Sequence, residues 1–182
     1  VAALLALPGM WYFVMHDYQK QRVLTLLNPE KDPQGSGYHI IQSKIAIGSG
    51  GAFGKGWLNG SQGQLEFLPE RSTDFIFAVI GEEFGLVGVT IIVLLYGLII
   101  WRGIAIARNT TDPFGSLLSF GLTAAIALQV CINMGVTLGL LPTKGLTLPF
   151  LSYGGTSLVL NMAAVGVLMN IGISPWLKRK AL

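Results

Sequence analysis

The sequence predicts an all-α membrane protein: four transmembrane helices with one long, partly re-entrant loop and one short loop on the same side. Three observations carry that prediction. Of 182 residues, 52% are apolar and only 12% charged, and the mean hydropathy is +0.61, outside the range of soluble domains. Charges are absent from Val1 to His16, Phe84 to Trp101, Pro113 to Thr143 and Gly145 to Leu177. Each of the last three gaps holds the roughly 18 to 20 apolar residues that cross hydrocarbon as a helix. Finally, the segments rich in glycine and proline fall between spans on a single face, where irregular backbone survives only if it is buried in protein or lines a wet cavity.

The first span, about 1–16, is short and opens on Val1 without a basic n-region. It reads as the tail of a longer helix rather than a signal peptide, and the chain as a C-terminal fragment. The loop of about 17–73 follows. Its LNPEKDPQGSG run reads as consecutive turns, and YHIIQSKIAIGSGGAFGKGWLNG as a helix and loop that dip into the interface. The second span covers about 75–101, and a turn at about 102–113 leads to the third, about 114–140. A short loop, about 141–155, precedes the last span at about 156–174, and 175–182 form a tail. The long loop carries six Lys or Arg but, counting Asp74, six acids as well. The turn and the tail pack their bases close to helix ends, so the positive-inside rule places them in the cytoplasm and both loops outside.

Cys131 lies within an apolar gap and excludes an internal disulfide. His16 and His39 have no Cys or Glu at ligand spacing, so zinc has no support. Scattered bases with a net charge of +3 argue against nucleic acid and leave membrane lipid as a partner. Trp11, Trp57, Trp101 and Trp176 stand near span ends, as an aromatic belt requires.

Four features bear on chemistry. GSGGAFGKG, from Gly48, fails both the Walker and the dinucleotide patterns. It is either a closely packed surface loop or a polyphosphate contact made through backbone N–H groups and Lys55. Asp74, after Ser72 and Thr73, is either a helix N-cap or a general base at the water–lipid boundary. Glu82 and Glu83 lie about 12 Å of rise further on, where ionisable groups face a bundle or cavity; by helical phase only Glu82 could share a cleft with Asp74. Lys144, isolated in PTKGLTLPF, either snorkels to the interface or binds an anionic headgroup.

The run NMGVTLGLLPTKGLTLPFLSYGGTS, from Asn133 to Ser157, together with STDFIFAVIGEEFG and SKIAIGSGGAFGKG, resembles the SEDS family (shape, elongation, division and sporulation; RodA, FtsW and SpoVE). The wording is closest to the RodA branch of Gram-negative rods. The resemblance implies a bundle of roughly ten helices, each satisfying its own backbone in the bilayer, of which this chain would supply the last four. It implies a peptidoglycan glycosyltransferase in the bacterial inner membrane that polymerises lipid II during elongation, with its active site on the periplasmic side. Asp74 then matches the family's catalytic aspartate. Lys44, Lys55, Arg71 and Lys144 are candidates for binding the leaving pyrophosphate, and Glu82, Glu83, Ser152, Gly154 and Gly155 for structural or cavity-lining roles. No cofactor is fixed, a divalent cation (Mg or Mn) being the alternative to basic side chains at the leaving group. The implied partners are lipid II, a class B penicillin-binding protein and other membrane proteins of the elongation complex. The competing readings are a lipid II flippase and a non-catalytic scaffold for a transpeptidase.

Overall fold

The computed structural model describes residues 16–29, 36–60 and 73–180, with side chains to Ile173. The described residues are all helix, turn and irregular loop: α1 (Asp17–Leu27), α2 (Ser36–Ser49), α3 (Ile76–Asn109), α4 (Pro113–Thr137) and α5 (Gly155–Lys180). Three of these, α3, α4 and α5, are long and apolar enough to cross a membrane. Most of the expected first span, like Arg71 and the 61–72 stretch, lies outside the described residues.

The three long helices turn apolar side chains outward. Leu86, Leu94 and Leu98 on α3, Leu117 and Leu128 on α4, and Val159, Leu160 and Met169 on α5 are all exposed, a surface suited to lipid or to further helices rather than water. Between α3 and α4 the contact is close and partly polar: Thr123 packs where a Cβ on Gly103 would stand. Phe77, Tyr96, Ile126, Val130 and Leu148 form the apolar centre, and the Tyr96 hydroxyl donates to the Pro149 carbonyl. Asp112 starts α4 by accepting from Gly115 N at 2.8 Å, with Pro113 at the first helical position, the arrangement favoured at helix N-termini. α3 continues as helix past Trp101 to Asn109, so only Thr110–Asp112 make the connection to α4.

Two helices occupy the long loop. α1 is polar; Gln19 Oε1 accepts from His16 N at 3.1 Å, which satisfies one free donor of the first turn. Arg22 ties α1 to the short loop by donating to Thr143 O at 2.8 Å. α2 packs on both α3 and α4: Ile40, Ser43 and Ala46 are buried, and Ser43 Oγ donates to Thr137 O at 2.8 Å.

The glycine-rich run after α2 has a specific seat. α3 is broken at Gly85, whose φ of 63° and ψ of −158° leave the helical region. A break there removes the bonds that Leu86 N and Val87 N would make to the carbonyls of Glu82 and Glu83. The loop replaces both. Leu86 N donates to Gly51 O (2.9 Å) and Val87 N to Ala52 O (3.1 Å), while Lys55 N and Gly56 N donate to Glu82 O and Glu83 O, each at 3.0 Å. Backbone approach this close leaves no room for side chains: a Cβ on Gly50 would strike Gly81 O, and one on Gly54 would strike Glu83 O. Of the two readings of GSGGAFGKG, the closely packed loop accounts for the backbone N–H groups of Lys55 and Gly56, which are spent on α3. The seat lies about 13 Å of helix rise from Ile76, at a depth where unsatisfied backbone would be costly in a bilayer. Gly85→Ala would strain the backbone and press a Cβ against the Ala52 carbonyl carbon at 2.8 Å. Its expected cost is about 1–3 kcal/mol, read as a lower melting temperature of the membrane-embedded protein.

Candidate active site at the head of α3

Residues 73–75 form a turn that leads into α3. The N-cap position falls on Phe75, which makes no side-chain cap, so Asp74 stands one residue ahead of the cap rather than on it. Phe75 is buried against Val136 and Ile132, with the His39 ring 5.9 Å away. Its anchorage leaves Asp74 half-buried at the surface of the turn.

Side chains of two other elements hold this turn by its carbonyls. Ser152 Oγ donates to Thr73 O at 2.5 Å and accepts from Leu148 N at 2.7 Å. Asn133 Nδ2, from α4, donates to Asp74 O at 3.0 Å and to Leu146 O at 2.6 Å. The carboxylate faces the short loop: a Cβ on Gly145 would stand 3.4 Å from Asp74 Oδ2. Gly145 is flanked by the exposed Lys144 and by a tight turn in which Leu146 N donates to Lys144 O at 2.6 Å.

The remaining candidates separate into two groups. Ser152 and Lys144 lie next to the Asp74 turn: Ser152 bonds Thr73 O, and Lys144 precedes Gly145, which faces the carboxylate. Glu82 does not share its cleft; it is fully buried and paired with Lys55, Nζ to Oε1 2.7 Å. Gly60 backs that pair, since a Cβ there would lie 3.0 Å from Glu82 Oε2. Lys55 is thereby placed on the loop-to-α3 seat and not at the carboxylate of Asp74. Lys44 lies across Gly139, just past the end of α4, where a cation complements the partial negative charge of a helix C-terminus. A Cβ on Gly154 would make ordinary contacts with Ser157 and Thr147, and one on Gly155, at the start of α5, would meet nothing within 4 Å. Glu83 lines an apolar groove of about 440 Å³ together with Ile76, Ile80, Phe84, Ile91, Trp57 and Leu151; Trp57 meets Phe84 edge-on at 5.6 Å. Among the described residues no three His, Cys, Asp or Glu side chains gather.

Sequence reasoning missed Asn133, Arg22 and the α3 break. The signal for Asn133 was present: an amide side chain inside a 31-residue stretch without charge, Pro113–Thr143, needs a buried partner.

The arrangement can do one piece of chemistry: a half-buried carboxylate, fixed from behind through its own backbone, can take a proton from a group entering beside Lys144 and Gly145. Comparison with known proteins narrows the class. A family described as "Cell cycle protein" (FtsW, RodA, SpoVE) matches residues 1–175. The chain is 56% identical over 165 residues to the peptidoglycan glycosyltransferase MrdB of Escherichia coli K12, covering 91% of this chain and 45% of that protein. It is 52% identical over 154 residues to stage V sporulation protein E of Bacillus subtilis, covering 85% and 42%. Among solved structures it is similar to a chain of a peptidoglycan synthase complex that coordinates polymerization and crosslinking (TM-score 0.74, 35% identity, 94% of this chain and 46% of that one). It also resembles a point mutant of the rod shape determining protein RodA of Thermus thermophilus (TM-score 0.52, 30% identity, 84% and 52%). The chain thus spans less than half the length of these curated relatives. With the three motif blocks in order and nearly the whole chain matched, the chain belongs to the FtsW/RodA/SpoVE family of membrane proteins, SEDS.

Proposed function

We propose that this chain carries the proton-accepting half of a peptidoglycan glycosyltransferase active site, on the periplasmic side of the bacterial inner membrane, with Asp74 as general base and lipid II as substrate in cell elongation. The observation that carries the reading is the setting of Asp74: held through its carbonyl by Asn133, with its carboxylate against Gly145, at the head of a membrane-length helix. Ile76, two residues further on, lines an apolar groove. A substrate with sugars in water and a polyprenyl tail in lipid would meet both at once.

In the reaction, the Asp74 carboxylate takes the proton of the acceptor sugar's 4-hydroxyl as that oxygen attacks the donor's anomeric carbon. The bond from that carbon to the pyrophosphate oxygen breaks in the same displacement, so configuration inverts. Undecaprenyl pyrophosphate leaves, and its charge is countered by basic side chains; Lys144, beside Gly145, is the best placed of those described. Positioning supplies much of the rate, since acceptor and donor must meet in line. The relative found in a complex that coordinates polymerization and crosslinking supports a crosslinking partner, the class B penicillin-binding protein that the sequence resemblance implies.

The deciding experiment gives the full-length protein and its partner purified lipid II and follows both polymer formation and headgroup translocation across liposomes. Polymer that depends on Asp74 supports the reading; translocation without polymer, unaffected by Asp74→Asn, would overturn it in favour of a flippase. A second expectation follows from the wall. Gly145→Ala sets a methyl group in van der Waals contact with Asp74 Oδ2, covering one side of the carboxylate. Polymerisation should slow on the order of tenfold, the scale of a small misplacement of reacting groups, with assembly in the membrane unchanged.

A further inference from the structure

From the bonding of one side chain we infer that Asn133 is a positioning residue, which sets the proton acceptor against its wall by holding both through a single nitrogen. The inference rests on the reading of Asp74 as the base. Asn133 is 2% exposed and sits on α4, one turn before its end. A carboxamide is a poor choice for such a place unless its bonds are needed. Both of its hydrogens are used, one on Asp74 O and one on Leu146 O, residues 59 and 13 positions away in sequence. Since both partners are carbonyl oxygens, the nitrogen must be the atom facing them. Its Oδ1, buried as well, has no donor among the described residues. The amide is therefore retained as a double donor at the expense of its own acceptor.

Geometry turns this into a gauge. The two N–H directions of a planar amide diverge by roughly 120°, which fixes the two carbonyl oxygens about 5 Å apart. One belongs to the residue that carries the base. The other belongs to the residue after Gly145, whose backbone confronts Asp74 Oδ2. Rotation about the Asp74 backbone would swing its carbonyl off Asn133, so the bond limits where the carboxylate points. The Ser152 bond to Thr73 O and the burial of Phe75 are independent of Asn133. Losing the amide should therefore free the aim of the carboxylate without dissolving the turn. The other polar side chains of this end of α4 do something different: Thr137 Oγ1 bonds back to its own helix at Asn133 O and Met134 O, and Gln129 Nε2 reaches only Thr147 O.

Two substitutions test it in the full-length protein with its partner, each measured for kcat, KM for lipid II and melting temperature. Asn133→Leu keeps the volume and removes both donors. Asn133→Gln keeps the donors but moves them by one methylene, so it preserves the bonding capacity that Leu removes. Either variant should lower kcat about 10- to 100-fold with KM within about twofold, the pattern of a misplaced catalytic group. Adding Asn133→Gln to Asp74→Asn should cause no further loss, because the effect runs through the carboxylate. A wild-type kcat in both variants, or the same fold-loss with and without Asp74, would overturn the inference. If Asp74→Asn alone polymerises at the wild-type rate, it is the assignment of the base that fails, whatever Asn133 does.

Discussion

Asp74→Asn in the full-length protein, reconstituted with its partner, is expected to lower lipid II polymerisation by about 10²–10⁴-fold, the contribution of a positioned general base. Asparagine is nearly isosteric, and three anchors of the turn bypass the carboxylate: Asn133 and Ser152 bind the carbonyls of residues 74 and 73, and Phe75 fills its own pocket against Val136. Membrane insertion and partner binding should therefore survive, and the loss should fall on kcat. Asp74→Glu keeps the charge but moves it by a methylene toward Gly145, so it should retain more activity than Asn and less than the parent. Equal activity in Asn and parent would remove the base from this position.

The second large effect lies at the loop seat. Glu82 is wholly buried, and Lys55 Nζ sits 2.7 Å from its Oε1. Lys55→Met leaves that carboxylate in place without its ammonium partner, a change that costs about 3–5 kcal/mol in buried pairs. The expected readout is a melting temperature lower by on the order of 10 °C for the full-length protein in nanodiscs. Glu82→Gln added to Lys55→Met should recover part of the loss, since it removes the buried charge that the Lys55 ammonium countered. A Lys55→Met protein as stable as the parent would mean that the four backbone bonds between loop and α3 hold the seat unaided. Lys55 would then be available for another role.

The consequence for function is one of architecture. Asp74 stands at the head of α3, and the broken turn at Gly85 lies about 13 Å of rise below Ile76. The glycine-rich loop fills the break, and α2, which leads into that loop, packs on α3 and α4 together: Ile47 lies against Gly81 and Ser43 against Thr137. The elements that brace the kink thus also brace the end of α4 from which Asn133 reaches the Asp74 carbonyl.

Much of this was legible in the sequence. The charge-free gaps marked α3, α4 and α5 because membrane-length apolar runs have few other uses. Asp74 stood out because a carboxylate where hydrocarbon begins needs a reason. What escaped was long-range. α1 is too polar and short to announce itself by periodicity; its Arg22 finds Thr143 on the far side of the chain. The break at Gly85 was masked by the strongly apolar run around it, and nothing local says that residues 51–56 would replace its lost bonds. Glu82 was legible as a buried group bonded within the bundle, with a place in Asp74's cleft left open by helical phase; that its partner is Lys55 was not, because the break at Gly85 brings the loop onto it. Lys44 could be seen as a cation but not as the cover of Gly139. Asn133 lay in plain view in the motif that carried the family resemblance, yet its two acceptors, 59 and 13 residues away, exist only once the helices are packed.

The account turns on a carboxylate acting as proton acceptor, and chemical rescue tests that most directly. Asp74→Ala, inactive with lipid II, should regain polymerisation in proportion to added formate or azide, a small base entering the space that the side chain leaves. Wild-type polymerisation by Asp74→Ala with no added base would contradict it.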